Sequence, residues 1–264
     1  MELEVLLSTM NKRNKNEALE LFKSMNIKGK ALMINQITNE SIDKTVKKDE
    51  DKKIYSYYEK GLSKSRNRAI EKMTGDIGIL ADDDVIYNDN YEKTIKKAYE
   101  KYPDADIIAF DVKSMNKKRQ TRKQPTHKAN FITLMRIQSV QITFRKDRII
   151  RFDEDFGIGA KYKLGEENIL LYDCRRMKRK IYYVDENIAT VKQEESRWFS
   201  KMDRDFLKCE GAVFYRISPR FYWLLILQYA IRKRKQYKDN TSFMEAVKCL
   251  FKGAESYKQF KIDN

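Results

Sequence analysis

Histidine, cysteine, proline and glycine are all scarce, and each scarcity removes a class of explanation. The chain holds 1 histidine, 3 cysteines, 3 prolines and 9 glycines in 264 residues. Cys174, Cys209 and Cys249 are odd in number and widely spaced. They offer neither a disulfide framework nor a Cys-x-x-Cys metal site, which favours a reducing, cytoplasmic setting. His127, alone in a basic loop, reads as a surface residue. So few prolines and glycines argue against long disordered linkers, and no internal repeat is visible. The most apolar run, Phe221 to Ile231, is far shorter than the ~20 residues a membrane-spanning helix requires. The opening Met1-Glu2-Leu3-Glu4 leads straight into a strand pattern, so no secretory signal is expected.

What is present is an ordinary apolar share and an unusual charge. The hydrophobic fraction of 41% supports a real core, and the length suits one α/β domain with room for an appended piece. Net charge is +16 and unevenly placed: from Arg197 to Asn264 there are 15 Lys and Arg against 7 Asp and Glu. Such a surface attracts phosphates, whether of nucleic acid, nucleotides or anionic lipid. Composition does not choose among them.

Strand and helix patterns alternate along the chain. Strands are expected at Leu3–Ser8, Lys30–Asn35, Ile77–Ala81 with three carboxylates at its C-terminal end, Ala105–Val112, Gln141–Phe144 and Lys180–Val184. Helices are expected at Glu17–Ser24, from Gly61 to about Met73 with a capping serine, at Asn88–Tyr102 before Pro103, and from Gly165 to about Arg176. This spacing predicts a doubly wound or similar sheet. Asp43 to Lys53 is a charged connection, Lys113 to Lys128 a basic exposed loop, and Phe152 to Gly157 an irregular acid-rich one. After Trp198 the texture is helical and basic.

The chain is organised around Ile77-Gly78-Ile79-Leu80-Ala81-Asp82-Asp83-Asp84-Val85. Three adjacent carboxylates repel one another and need a cation or open water. At the C-terminal edge of a strand in an α/β sheet, the usual ligand edge, the cation reading gains weight. Surroundings rich in oxygen and free of histidine and cysteine point to Mg²⁺ or Mn²⁺. The plain alternative is an acidic loop after an ordinary strand.

Taken together, these motifs resemble family 2 glycosyltransferases with the GT-A fold, of the bacterial capsule and exopolysaccharide kind, over roughly residues 3 to 200. The resemblance implies a mixed central sheet flanked by helices, a catalytic domain at 1–198 and a basic helical extension at 199–264. It implies that Ser8, Thr9 and Met10 after the first strand, and Asn35 and Gln36 after the second, hold the nucleotide base. Commoner members carry a carboxylate where Asn35 and Gln36 stand, but an amide offers a uracil edge both donor and acceptor. Ser65-Arg66-Asn67 matches the helix bearing an Arg-Asn pair, as a wall of the donor pocket. Asp82-Asp83-Asp84 matches the Asp-x-Asp motif, with Asp82 near the ribose, Asp84 binding the metal that bridges the donor diphosphate, and Asp83 facing solvent or ribose.

Gly165-Glu166-Glu167-Asn168 falls at the family's acidic pair. Alignment makes Glu167 the base that takes the acceptor proton and Glu166 a contact to donor sugar or acceptor, though the two roles could be exchanged. A helix N-terminus favours the ionised carboxylate, and acids there also cap helices without catalysing anything. Gly157, Gly159 and Gly165 would let backbone approach a sugar, or merely turn the chain. One departure stands out: the downstream histidine is missing from Thr190-Val191-Lys192-Gln193-Glu194-Glu195-Ser196-Arg197-Trp198, and Lys192 is expected to neutralise the diphosphate instead.

The implied activity is inverting, Mn²⁺- or Mg²⁺-dependent transfer from a nucleotide-sugar, expected to be a UDP-sugar, in cell-surface polysaccharide synthesis. The acceptor would be a saccharide or a polyprenyl-diphosphate-linked one, at the inner face of the cell membrane. The apolar run from Phe221, bounded by Arg220 and Arg232-Lys233-Arg234-Lys235, suits either a helix in an anionic bilayer interface or a buried helix. A nucleotidyltransferase would share the carboxylates and the metal, but the Gly-rich, Lys-bearing loop for a triphosphate is lacking. A nucleic-acid-binding protein would explain the charge, yet no such motif is visible and phosphate would be repelled by the acidic triplet, so no nucleic-acid partner is expected.

Overall fold

The computed structural model describes residues 1–38, 47–48, 51–115, 124–192 and 202–263. In chain order the elements are β1 (Leu3–Met10), α1 (Lys15–Ser24), β2 (Lys30–Gln36), β3 (Lys47–Lys48), β4 (Lys52–Tyr57), α2 (Leu62–Lys72), β5 (Ile77–Asp82), β6 (Val85–Tyr87), α3 (Tyr91–Lys101) and β7 (Ile107–Ser114). They continue with β8 (His127–Lys128), α4 (Phe131–Leu134), β9 (Ile142–Arg145), α5 (Glu166–Arg176), β10 (Ile181–Val191), α6 (Arg204–Ile217), α7 (Tyr222–Tyr237) and α8 (Phe243–Asp263). Among the described residues the strands form one sheet in the order β3-β4-β2-β1-β5-β9-β7-β10-β6, with β8 beside β10.

The half of the sheet that carries the acidic stretch is parallel. β1 lies between β2 and β5, and β4 extends the run beyond β2. Strands covered on both faces need near-continuous apolar sequence, and Leu3–Leu7 and Ile77–Ala81 supply it. Period-two alternation then sorts their side chains. Val5 and Leu7 join Phe22, Ile95 and Tyr99 on one face; Leu6 joins Ala69, Met73, Ile169 and Val213 on the other. The register sets Ser8 opposite Asp82, Thr9 opposite Asn35 and Met10 opposite Gln36. Three strand ends therefore deliver polar residues to one edge.

β5 stops at Asp82, where the carboxylates begin; Asp83 and Asp84 form a turn, and β6 leaves to pair antiparallel with β10. One strand expectation changes. The last strand runs on to Val191 rather than stopping at Val184, because register shifts around Asn187 absorb the polar residues that interrupt its pattern. The bend lets the far end of β10 reach β6, with Val191 opposite Val85. Local sequence patterns also miss β4, whose alternation is half polar, and α4. His127 is half-exposed rather than a plain surface residue, with Nε2 2.7 Å from Thr133 Oγ1 and Nδ1 2.7 Å from the Pro125 carbonyl.

The C-terminal helices are joined to the sheet domain through its core. Ala212, Val213 and Ile217 of α6 and Tyr257 of α8 lie in the same cluster as Leu6 and Phe144. A separate cluster, with Phe214, Ile226, Tyr229, Tyr237 and Leu250, fills the space among α6, α7 and α8. α6 and α8 touch backbone to backbone: a Cβ on Gly211 would collide with the Leu250 carbonyl, and one on Gly253 with that of Lys208. Gly253→Ala is therefore expected to destabilise the protein by ~1–3 kcal/mol through overpacking, read as a lower denaturant midpoint. Exposed Lys252→Ala on the same helix should leave the midpoint nearly unchanged.

Candidate active site

The site is assembled where β1, β2 and β5 end. α2 follows Gly61, which has φ +132° and provides no side-chain cap, so the expected serine cap is absent. The helix's serines turn inward instead. Ser63 Oγ donates to the Phe156 carbonyl at 2.5 Å, and Ser65 Oγ donates to Ser8 Oγ at 2.9 Å. Asn67 donates to the Phe152 carbonyl and Glu154 Oε1 at 3.1 and 2.8 Å, and accepts from the Phe152 amide at 2.7 Å. The inner face of α2 thus binds the end of β1 to the acid-rich connection at 152–157.

Arg66 stands between the two acidic motifs. It is 2% exposed, lies against the Phe152 ring, and donates to Glu166 Oε1 at 2.8 Å and to Asp82 Oδ1 at 3.1 Å. Burial alone would loosen its proton, but Asp82, then Glu166 and Glu167, outweigh it and raise its pKa. Two motifs separated by more than 80 residues thereby share one cation. Ser139, in a short 3-10 helix at Ser139–Gln141, adds a 3.4 Å bond to Asp82 Oδ2.

The three aspartates have three different surroundings. Asp82 is held by Arg66. Asp83 is exposed, accepts from Thr9 Oγ1 at 3.0 Å and has Lys12 Nζ at 3.9 Å. Asp84 is half-buried and, among the described residues, has no side-chain partner. Burial, then the charges of Asp82 and Asp83, push it up to about 6. The amide of Lys192 donates to the Asp84 carbonyl at 2.9 Å, which places this exposed lysine at the turn.

The acidic pair on α5 is split in a similar way. Gly165 caps the helix with φ +83° and packs on Val213, so there it turns the chain against protein. Gly157 and Gly159 likewise adopt positive φ, facing Ser63 and Glu166 in one case and Gly61 in the other. Glu166, 6% exposed, is locked to Arg66. Glu167 is half-buried and, among the described residues, lacks a side-chain partner. Burial, then the Glu166 carboxylate, raise its pKa above the usual range; Arg66 and its own backbone only partly offset them. The helix N-terminus therefore does not keep Glu167 fully ionised, contrary to the sequence-based expectation.

Asn35 and Gln36 use their amides within the protein. Asn35 accepts from the Lys12 amide at 2.9 Å and donates to the Lys12 carbonyl and Ser56; Gln36 donates to the Gly61 carbonyl at 2.9 Å. Met10 is half-buried at the same edge. Lys12, Ser139 and Glu154 were not anticipated. Lys12, in a basic cluster with Arg13 and Lys15 just past the first strand's polar end, was the one with a visible signal. Residues 193–198, where a downstream histidine was sought in the sequence, lie outside the described residues.

Polar strand ends, a shared buried arginine and two carboxylates without side-chain partners among the described residues meet at one sheet edge. The family model described as glycosyl transferase family 2 matches residues 35–164. Solved structures agree in fold. The crystal structure of S. aureus TarS 1–349 in complex with UDP matches with TM-score 0.63 and 12% identity, covering 98% of this chain and 92% of that one. TarS 1–349 with UDP-GlcNAc matches with TM-score 0.62 at the same 12% identity and the same coverage of 98% and 92%. A longer TarS structure matches with TM-score 0.57 and 15% identity, over 89% of this chain and 44% of that one. No curated protein matches. Over residues 35–164 the chain matches family 2 glycosyltransferases, and its fold is that of a glycosyltransferase.

Arg66→Met would leave Glu166 buried without its cation. The expected loss is ~3–5 kcal/mol of unfolding free energy, measured by denaturant titration. Adding Glu166→Gln to Arg66→Met should recover part of that loss, because the uncompensated charge is then gone.

Proposed function

We propose that the protein is an inverting, divalent-metal-dependent transferase that moves a sugar from a UDP-sugar to a saccharide or polyprenyl-diphosphate-linked acceptor. The setting we assign is synthesis of a capsular or exopolysaccharide at the inner face of the cell membrane. Residues 1–198 carry the chemistry and 199–264 form the helical extension. One observation carries the reading: of the carboxylates around Arg66, Asp84 and Glu167 alone are left without a side-chain partner among the described residues. One is suited to a cation and the other to a proton.

Glu167 takes the proton from the acceptor hydroxyl as its oxygen attacks the anomeric carbon, and the bond from that carbon to the nucleoside diphosphate breaks. Glu166 stays paired with Arg66, which orients the first turn of α5 beneath the donor sugar. Ser8, Thr9 and Met10 wall the nucleotide, and Asn35 and Gln36 shape that wall by fixing Lys12 and Gly61. Ser65, Arg66 and Asn67 form the facing side, Asp82 and Asp83 lie toward the ribose, and Lys192 supplies a point charge for the diphosphate. The TarS structures bound to UDP and UDP-GlcNAc support the choice of nucleotide.

The residues present fit a hard cation. Asp84 is crowded by two acids and holds its proton up to about 6, a cost that a bound cation removes. Among the described residues no group of 3 or more His, Cys, Asp or Glu side chains converges. Among the described residues Asp84 would be the ligand, and donor phosphates and water would complete the shell, the common pattern for Mg²⁺. When bound, Mn²⁺ or Mg²⁺ would neutralise charge on the departing diphosphate.

Glu167→Gln should lower kcat by ~10²–10⁴-fold while the thermal unfolding midpoint stays near that of the native protein. Full turnover of the variant would overturn the base assignment. UDP with Mn²⁺ should raise the midpoint, an oligonucleotide should not, and Asp84→Ala should abolish the shift. The sign of the pH dependence follows from the raised carboxyls. Below about 6 a proton on Asp84 competes with the cation, so Mn²⁺ affinity is expected to rise with pH through that value. Turnover should likewise fall on acidification with a midpoint above the ordinary carboxylate range, because Glu167 must be ionised to accept a proton.

A further inference from the structure

α7 has two apolar faces, and only one is used by the fold. Ile226, Tyr229, Ala230 and Tyr237 point into the cluster shared with α6 and α8. Leu224, Leu227 and Ile231 recur at helical spacing on the opposite side, exposed by 47%, 38% and 66%. Trp223 and Phe221 flank them and are also exposed. One turn further along, the same outer side carries Arg234, Lys235 and Lys238, all exposed. From Gly211 to Lys238 the sequence holds no Asp or Glu at all. Among the described residues none of Arg220, Arg232, Arg234, Lys235 and Lys238 pairs with a carboxylate.

We propose that the outer face of α7 is a membrane-docking surface that inserts Leu224, Leu227, Ile231 and Trp223 into the interface of an anionic phospholipid bilayer. The charge decides the occupant. A protein partner would need a matching acidic, apolar groove, and a second copy of this chain would bring the same cations against themselves. Anionic headgroups beside an acyl boundary meet both requirements: they neutralise the basic end and accept the apolar one. No described helix is long and apolar enough to cross a membrane, so the attachment is peripheral. α7 packs on α6, whose Arg216 bonds Asp153 at 2.8 Å in the connection that holds Asn67. The catalytic domain would thus be tethered to the bilayer through a rigid joint. The purpose of the surface rests on the proposed lipid-linked acceptor; its existence does not.

The test uses the full chain with vesicles of phosphatidylcholine alone or mixed with phosphatidylglycerol. Binding to the mixed vesicles at low salt is expected, with loss at high salt and little binding to neutral ones. Leu224→Asp with Ile231→Asp should lower the vesicle partition coefficient by at least ~10-fold, since each buried aliphatic side chain contributes about that much or more. Trp223→Ala is the milder second variant. Trp198→Phe leaves Trp223 as the sole tryptophan, and its emission should shift blue on binding. Sedimentation should show a monomer for both native and variant proteins. Absent binding, binding undiminished in both variants, or a dimer that the double variant dissociates would overturn the proposal. Stabilisation by UDP and Mn²⁺ is measured in parallel and should be unchanged in the variants. If native protein binds vesicles but lacks that shift, the transfer reading fails and the docking surface stands.

Discussion

A buried arginine between two carboxylates is the constraint on which this structure depends. Arg66 has left water, and an isolated guanidinium in that position would be untenable. Asp82 from the end of β5 and Glu166 from the start of α5 must both be near, so their motifs are held together although more than 80 residues separate them. Once those two acids are committed, their neighbours inherit the consequences. Burial, and then the neighbouring acids for Asp84 and Glu166 for Glu167, make both carboxyls keep their protons more tightly than usual.

The support of this arrangement extends into the C-terminal helices. Arg216 of α6 bonds Asp153 in the connection after β9 and Asp173 on α5, at 2.8 and 2.6 Å. That connection accepts and donates the hydrogen bonds of Asn67, next to Arg66. The glycine-lined crossing of α6 and α8 brings the helices close enough for Tyr257 to reach the core beside Phe156. A basic tail that reads locally as a surface feature is mechanically continuous with the site.

Much of this was legible in local patterns. Continuous apolar runs mark β1 and β5, which lie under helices on both faces, and amphipathic spacing marks α1, α3 and α5. Asp82–Asp84 and Glu166–Glu167 stand out because adjacent acids are costly wherever they occur. What stayed hidden involves partners distant in sequence. Asn35 and Gln36 look like free donors and acceptors for a base, but their amides hold Lys12 and Gly61. Ser63 and Ser65 look like helix caps, but they bond Phe156 and Ser8. The length of β10 depended on bulges that absorb its polar residues, which alternation alone reads as an end.

The sequence by itself determined the class of the protein: its α/β order, the position of the acidic turn after a buried strand, and the family that these motifs resemble. Those are properties of neighbours along the chain, where periodicity and charge spacing act directly. Tertiary structure decided the division of labour among the acids. Which carboxylate is bound to Arg66 and which is left free depends on where β5, α2 and α5 meet, and no local pattern contains that distance. It likewise decided which side of α7 remains outside, because two apolar faces read alike until one of them is packed.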